Sequence, residues 1–274
     1  MEDIDLGFLA EGSLKQSDLL DVECSRVGGP PLLLRSKDVA SIKEKCGSNK
    51  NFLLQMYAPR NNESSFHRII YVFVDKDGKA QEEGWTKGIR VFRSQASKTE
   101  FKNLDLTLEE NFNSKLCSPR EIEVDSDPSD EPSEVQQKDL QDVKVETENP
   151  TNEPYTKATG DTSFLKFQKC ISRAPDQILR YYHSPSSQPL WCNKDGIPTS
   201  VPDCSCGAKR ILEVQIVSTL LAELEIDHSA EDALDWGVLT IYTCSESCDL
   251  ANKGIAEEVC WLQKFSDQGI EAPE

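Results

Sequence analysis

Apolar residues fall along the chain in short runs separated by turn-forming residues, a spacing that suits strands better than long helices. Runs at 52–57, 69–74 and 89–92 predict three strands. Ala58-Pro59-Arg60-Asn61-Asn62 breaks the first from the second, and Asp75-Lys76-Asp77-Gly78 closes the second. Before them, residues 6–31 read as an extended lead-in ending in a tight turn at Gly28, Gly29, Pro30 and Pro31. A second group of strands is predicted at 211–217, 238–243 and 259–262. In the first of these, Leu212, Val214 and Ile216 alternate with Glu213 and Gln215, the pattern of a half-buried strand. Pro175, Asp176, Ile178, Leu179 and Tyr182 predict a short helix over 175–182, and a second is predicted over 219–224. The fold class is mostly β.

The two groups repeat one another. Cys46-Gly47 lies nine residues before Gln55, counted from the cysteine, as Cys206-Gly207 lies nine before Gln215. Residues 71–74 then parallel 241–244, and 91–95 parallel 259–263, so two related β-sheet halves are expected at 1–100 and 161–274. Between them, residues 100–160 hold 16 acidic and six basic side chains. Such a stretch buries too little apolar surface to offset chain ordering, so 101–160 reads as an acidic linker, disordered over roughly 110–160. The halves either pack into one groove-bearing body or stand as separate units.

Charge sharpens the choice of partner. With 48 acidic and 30 basic residues the chain has a formal net charge of -18. That surface repels nucleic-acid phosphate and anionic lipid and favours a basic protein, or else serves solubility alone. Neither direct nucleic-acid binding nor membrane binding is expected. Glu2, Asp3 and Asp5, with no basic segment leading into an apolar run, do not read as a secretory signal, so a cytoplasmic chain is expected.

In that compartment the ten cysteines should be thiols, metal ligands or buried small side chains. Cys204-Ser205-Cys206 and Cys244-Ser245-Glu246-Ser247-Cys248 have the grouping of one structural zinc site. Buried reduced cysteines at strand ends are the other reading. In the first half Cys46 stands alone and Val74 replaces the counterpart of Cys244, which argues against a second site. His67, His183 and His228 lack a nucleophile context, and the chain has no glycine-rich phosphate loop or nucleophile elbow, so no enzyme is expected. Gln55, Gln95, Gln215 and Gln263 each end or interrupt a strand run, where an amide either satisfies backbone groups or contacts a ligand.

The stretch 202–215, then 235–244, Ser247-Cys248 and 257–263, resembles the carboxy-terminal domain of the programmed cell death protein 2 family. Asp5-Leu6-Gly7-Phe8, Val27-Gly28-Gly29, 52–59, Phe66-His67-Arg68 and 91–95 extend the resemblance to the first half. The sequence has no closely spaced cysteine and histidine block like a MYND-type zinc finger, and in this it resembles the programmed cell death 2-like branch. The resemblance implies a dedicated chaperone of small-subunit ribosomal protein S2 in 40S assembly, or alternatively an export adaptor for pre-40S particles that shuttles through the nucleus. Phe101, Leu104, Leu106 and Leu108 have the spacing of an export signal for an export receptor, and equally that of a strand. Phe73, Trp236, Tyr242 and Trp261 are the aromatic candidates for partner binding in a groove between the halves, with core positions as the alternative.

Overall fold

β-branched and aromatic runs punctuated by glycine, proline, asparagine and aspartate favour sheet pairing. The computed structural model, which describes residues 4–47, 49–75, 77–112, 116–127, 162–248 and 254–265, turns each predicted run into a strand. In chain order the first half contains β1 (Ile4–Leu9), β2 (Arg26–Val27), β3 (Leu32–Leu33), α1 (Asp38–Cys46), β4 (Lys50–Tyr57), β5 (His67–Asp75), β6 (Gly84–Trp85) and β7 (Ile89–Ala96). α2 (Lys98–Phe101), β8 (Thr107–Leu108) and β9 (Arg120–Ser126) follow. The second half contains α3 (Thr162–Ile171), β10 (Leu179–Tyr182), β11 (Arg210–Val217), α4 (Thr219–Ala222), β12 (Val238–Cys244) and β13 (Ile255–Gln263).

Ten strands run β12-β11-β10-β1-β9-β2-β4-β5-β7-β13, and β13 pairs back with β12, so the sheet closes into an antiparallel barrel. β6 joins β13 beside β7, while β3 and β8 form a small separate sheet. The order has an internal two-fold relation: exchanging β1 with β9, β2 with β10, β4 with β11, β5 with β12 and β7 with β13 reproduces the ring. Each half lends its leading strand to the other, since β1 pairs with β10 and β9 pairs with β2. Register obeys the same relation, with Arg26 opposite Gln55 and Arg180 opposite Gln215. The buried Gln55 and Gln215 side chains also do matching work. Gln55 Oε1 accepts from the Leu32 N–H at 2.9 Å, and Gln215 Oε1 from the Leu190 N–H at 2.8 Å.

The core lies inside the ring, where Val27, Ile70, Val72, Val91, Val214, Ile216, Leu239 and Ile241 meet. Separate apolar clusters cover the outside of each half, so most central strands are buried on both faces. β11 is therefore not half-buried as its alternation predicts: Glu213 and Gln215 are as buried as Val214. The helix predicted over 175–182 is also corrected. Its apolar end is β10, because ladders with β1 and β11 satisfy the backbone on both sides and outweigh the local helix signals. The linker reading is corrected over 110–112 and 116–127, where Phe112, Leu116 and Cys117 are buried and β9 pairs with both β1 and β2. The rest of that segment lies outside the described residues.

Candidate functional site

Two connected features occupy one end of the barrel, where β4, β10 and β12 end and β5 and β13 begin. β4 carries a bulge between Phe52 and Leu54, and β11 has one at the matching place between Leu212 and Val214. The extra residue is Leu53 in the first and Glu213 in the second, so a local kink re-aims a carboxylate where its twin carries an apolar chain. Arg68 Nη1 and Nη2 each donate to a Glu213 oxygen at 2.7 Å. Arg60 Nη2 donates at 2.6 Å, the Tyr181 hydroxyl at 3.1 Å, and the Thr243 hydroxyl also donates. Burial alone would raise the Glu213 pKa. The charge and hydrogen bonds of Arg68, with Arg60 and Thr243, outweigh it and hold the acid at about 2.

Next to this group, Arg93 Nε and Arg210 Nε donate to the two oxygens of buried Glu258 at 2.8 and 2.9 Å. Both arginines reach onward to the cysteine turns. Arg210 Nη1 donates to the carbonyls of Pro202 and Asp203 at 2.9 and 2.7 Å, and Arg93 Nη2 lies 3.4 Å from Cys248 Sγ. Gln95 Nε2 donates to the Ser247 and Cys248 carbonyls at 3.0 and 3.3 Å. Held in this way, the sulfurs of Cys204, Cys206, Cys244 and Cys248 all lie within 4.8 Å of one another. The Cys204–Cys248 and Cys206–Cys244 separations are 3.8 and 3.6 Å. A tetrahedral ion with metal–sulfur bonds of about 2.3 Å sets its sulfurs about 3.8 Å apart, so this donor set fits one metal ion. Cys206 is exposed, and the Ala208 backbone N–H draws its pKa down to about 7. Burial pushes Cys244 up to about 12.

The first half places Lys50 opposite Asp75 where the second places Arg210 opposite Cys244. Lys50 Nζ meets Asp75 at 2.7 Å, so an ion pair stands at the position of the thiol. Register thus corrects the sequence pairing: Asp75, and not Val74, is the counterpart of Cys244. Cys46 is buried at the end of α1, where desolvation pushes its pKa to about 12.

The second feature is the open mouth of the barrel. A cavity of about 620 Å³ is lined from the first half by Met56, Ala58 and Phe66, from the second by Leu179 and Tyr181, and from the swapped strands by Asp5, Ile122 and Val124. Gly7 permits this floor, because a Cβ there would sit 2.7 Å from Leu179 and 2.9 Å from Ile122. Phe66 is 38% exposed and Val124 57%, unusually open for large apolar side chains. Glu23 lines the cavity and is exposed, as are Glu121, Glu123 and Asp125 on the face of β9 opposite Ile122 and Val124, and none of the four makes an ion pair among the described residues. Asp5 is paired with His183 at 2.6 Å, and Arg60 reaches the mouth from the Glu213 group.

The expected groove aromatics lie elsewhere. Phe73 is fully buried in the outer core of the first half, and Trp236 is fully buried in the barrel with its Nε1 donating to the Val217 carbonyl. Tyr242 and the half-buried Trp261 pack around Trp85 on the outside of the second half. Strand alternation and the plug of the far end direct all four away from the mouth. The export-like residues are also folded in. Phe101 stacks on His67 with centroids 3.8 Å apart, and Leu104 and Leu108 pack against the outer core. Leu106 alone of the four is exposed, so they form no accessible extended segment.

A duplicated antiparallel barrel with exchanged leading strands and one four-cysteine cluster defines the class of molecule. Within it, the chain belongs to the programmed cell death protein 2 family. The model of that family's amino-terminal domain matches residues 3–103, and that of its carboxy-terminal putative domain matches residues 161–264. Programmed cell death protein 2 of Rattus norvegicus is 29% identical over 322 residues, covering 89% of this chain and 91% of the relative. That of Bos taurus is 44% identical over 109 residues, covering 39% of this chain and 30% of the relative. Programmed cell death protein 2-like of Gallus gallus is 38% identical over 127 residues, covering 44% and 32%. No solved structure matches the chain.

Proposed function

We propose that this protein is a non-catalytic escort for a strongly basic client, which it holds at the open mouth of the barrel. The observation that carries this reading is the cavity between the halves, apolar within, with Glu23 at its edge lacking an ion pair among the described residues and the exposed acids of β9 just outside it. An apolar floor supplies affinity through burial, and the rim together with a net charge of -18 supplies steering toward a cation. The client proposed is small-subunit ribosomal protein S2, as the family resemblance implies, with escort into 40S assembly as the purpose and the cytoplasm as the site of loading. Before it meets RNA, such a client exposes uncompensated lysines and arginines, which an acidic partner shields.

The same reading assigns one structural zinc ion to Cys204, Cys206, Cys244 and Cys248. Four thiolates complete its coordination and leave no open position for catalysis. The local charge suits it, since Arg60, Arg68, Arg93 and Arg210 surround two carboxylates and leave two positive charges, opposite to the net charge of a zinc tetrathiolate. Binding kinetics test the escort role. S2 should bind far more tightly than a ribosomal protein of equal charge, and moderate salt should slow association more than it speeds dissociation. Equal affinity for the two proteins would reduce the chain to a generic acidic decoy.

A further inference from the structure

We infer that the open mouth receives from its partner a short helical turn, with two leucine-like side chains four residues apart and basic residues beside them. This rests on the client-binding reading and specifies what the client presents. The argument comes from the barrel's own two-fold relation, which exchanges its ends. At the closed end, the connection from β11 to β12 spans twenty residues and contains α4. Leu220 and Leu224 of that connection, four apart, enter the barrel core together with Leu234 and Trp236. At the other end the equivalent connection, from β4 to β5, spans nine residues and holds no α-helix, and the cavity of about 620 Å³ lies there. One end is plugged in cis, and its twin is left to be plugged in trans.

The chemistry of the occupant follows from what differs between the ends. α4 is flanked by Glu223 and Glu225, which meet Arg120 at 2.5 Å and the N–H of Ser118 at 3.1 Å. At the open end Arg60 and the Asp5–His183 pair are already engaged, Glu23 lines the cavity, and Glu121, Glu123 and Asp125 stand exposed on the outer face of β9 beside it, so a plug there needs lysine or arginine where α4 carries glutamate. Strand addition does not suit the mouth, because the ten strands around it are paired in a closed ring. A helical turn satisfies its own backbone and inserts only side chains. Residues 128–161 of this chain, which follow β9 at this end, carry nine acidic and three basic side chains, and like charge opposes their seating there.

The test uses the full chain and a helix-stapled, fluorescent peptide copying residues 218–226 with Glu223→Lys and Glu225→Lys. Anisotropy should show saturable binding, at least 10-fold weaker for the peptide that keeps both glutamates. Val124→Arg, a change at an exposed rim position that folding tolerates, should weaken the lysine peptide at least 10-fold while leaving the melting temperature in place. Absence of saturable binding, equal binding of the two peptides, or indifference to Val124→Arg would overturn the inference. Intact S2 is titrated in parallel. If it binds but is neither displaced by the peptide nor weakened by Val124→Arg, the helical-plug inference falls and the escort reading stands. If the peptide behaves as expected and S2 fails to bind, the plug stands and the identity of the client falls.

Discussion

Glu213 shows how one residue can carry a structural decision that its neighbours conceal. Its carboxylate is fully buried and accepts from Arg68, Arg60, Tyr181 and Thr243, so removing it strands two guanidinium groups away from a counter-charge. Glu213→Ala is expected to cost about 3–5 kcal/mol in a denaturant titration, as breaking one partner of a buried ion pair does. The pH dependence has a definite sign. A folded pKa of about 2, below the ordinary value of 4.5, means that the ionised carboxylate stabilises the fold above the ordinary value and loses that contribution as pH falls toward 2. The wild-type protein should therefore lose stability across that acid window, and Glu213→Gln should flatten the loss; an unchanged slope would remove Glu213 from the account. In the sequence this residue reads as the polar side of a strand. The bulge between Leu212 and Val214 inverts that reading, and a period-two pattern has no means of marking it.

At the scale of elements, the seam between β7 and β13 is bolted by Arg93 and Gln95 of the first half to the cysteine turns of the second. A metal ion there fastens the two halves as well as one sheet. Purified protein is predicted to hold one zinc per chain by elemental analysis. Chelation or Cys244→Ser should lower the unfolding midpoint by roughly 5–10 °C, the shift that about 2–3 kcal/mol produces in a chain of this size. Zinc far below one per chain would leave the cysteines as packing residues only. The cysteine spacing, the six main strand runs and their duplication were legible in the sequence, because each depends on residues close together or on a simple period. β9 was not. Its Ile122 and Val124 alternate with Glu121, Glu123 and Asp125, and the acidity of the whole segment masks a strand that only pairing with β1 and β2 stabilises. β10 is hidden in the sequence because a four-residue strand offers too little periodicity to compete with a proline-initiated helix signal.

For the whole molecule, the exchange of leading strands decides between one body and two. β1 is clasped by β10 and β7 by β13, so two separate seams join residues 4–127 to residues 162–265. Cleavage within 128–161 should therefore yield two fragments that run as one species on sizing under native conditions and part only in denaturant. Fragments that separate in native buffer would contradict the closed barrel. The same exchange builds the mouth from both halves, which places the proposed client site where neither half has it alone. Photocrosslinking tests this most directly. A photoreactive amino acid at Val124, on the rim, and in a second protein at Lys79, which is exposed in the connection between β5 and β6 at the plugged end, would each be irradiated with S2 bound. Crosslinks to S2 from position 124 and none from position 79 are the predicted result; equal crosslinking from both, or crosslinking from 79 alone, would contradict the account.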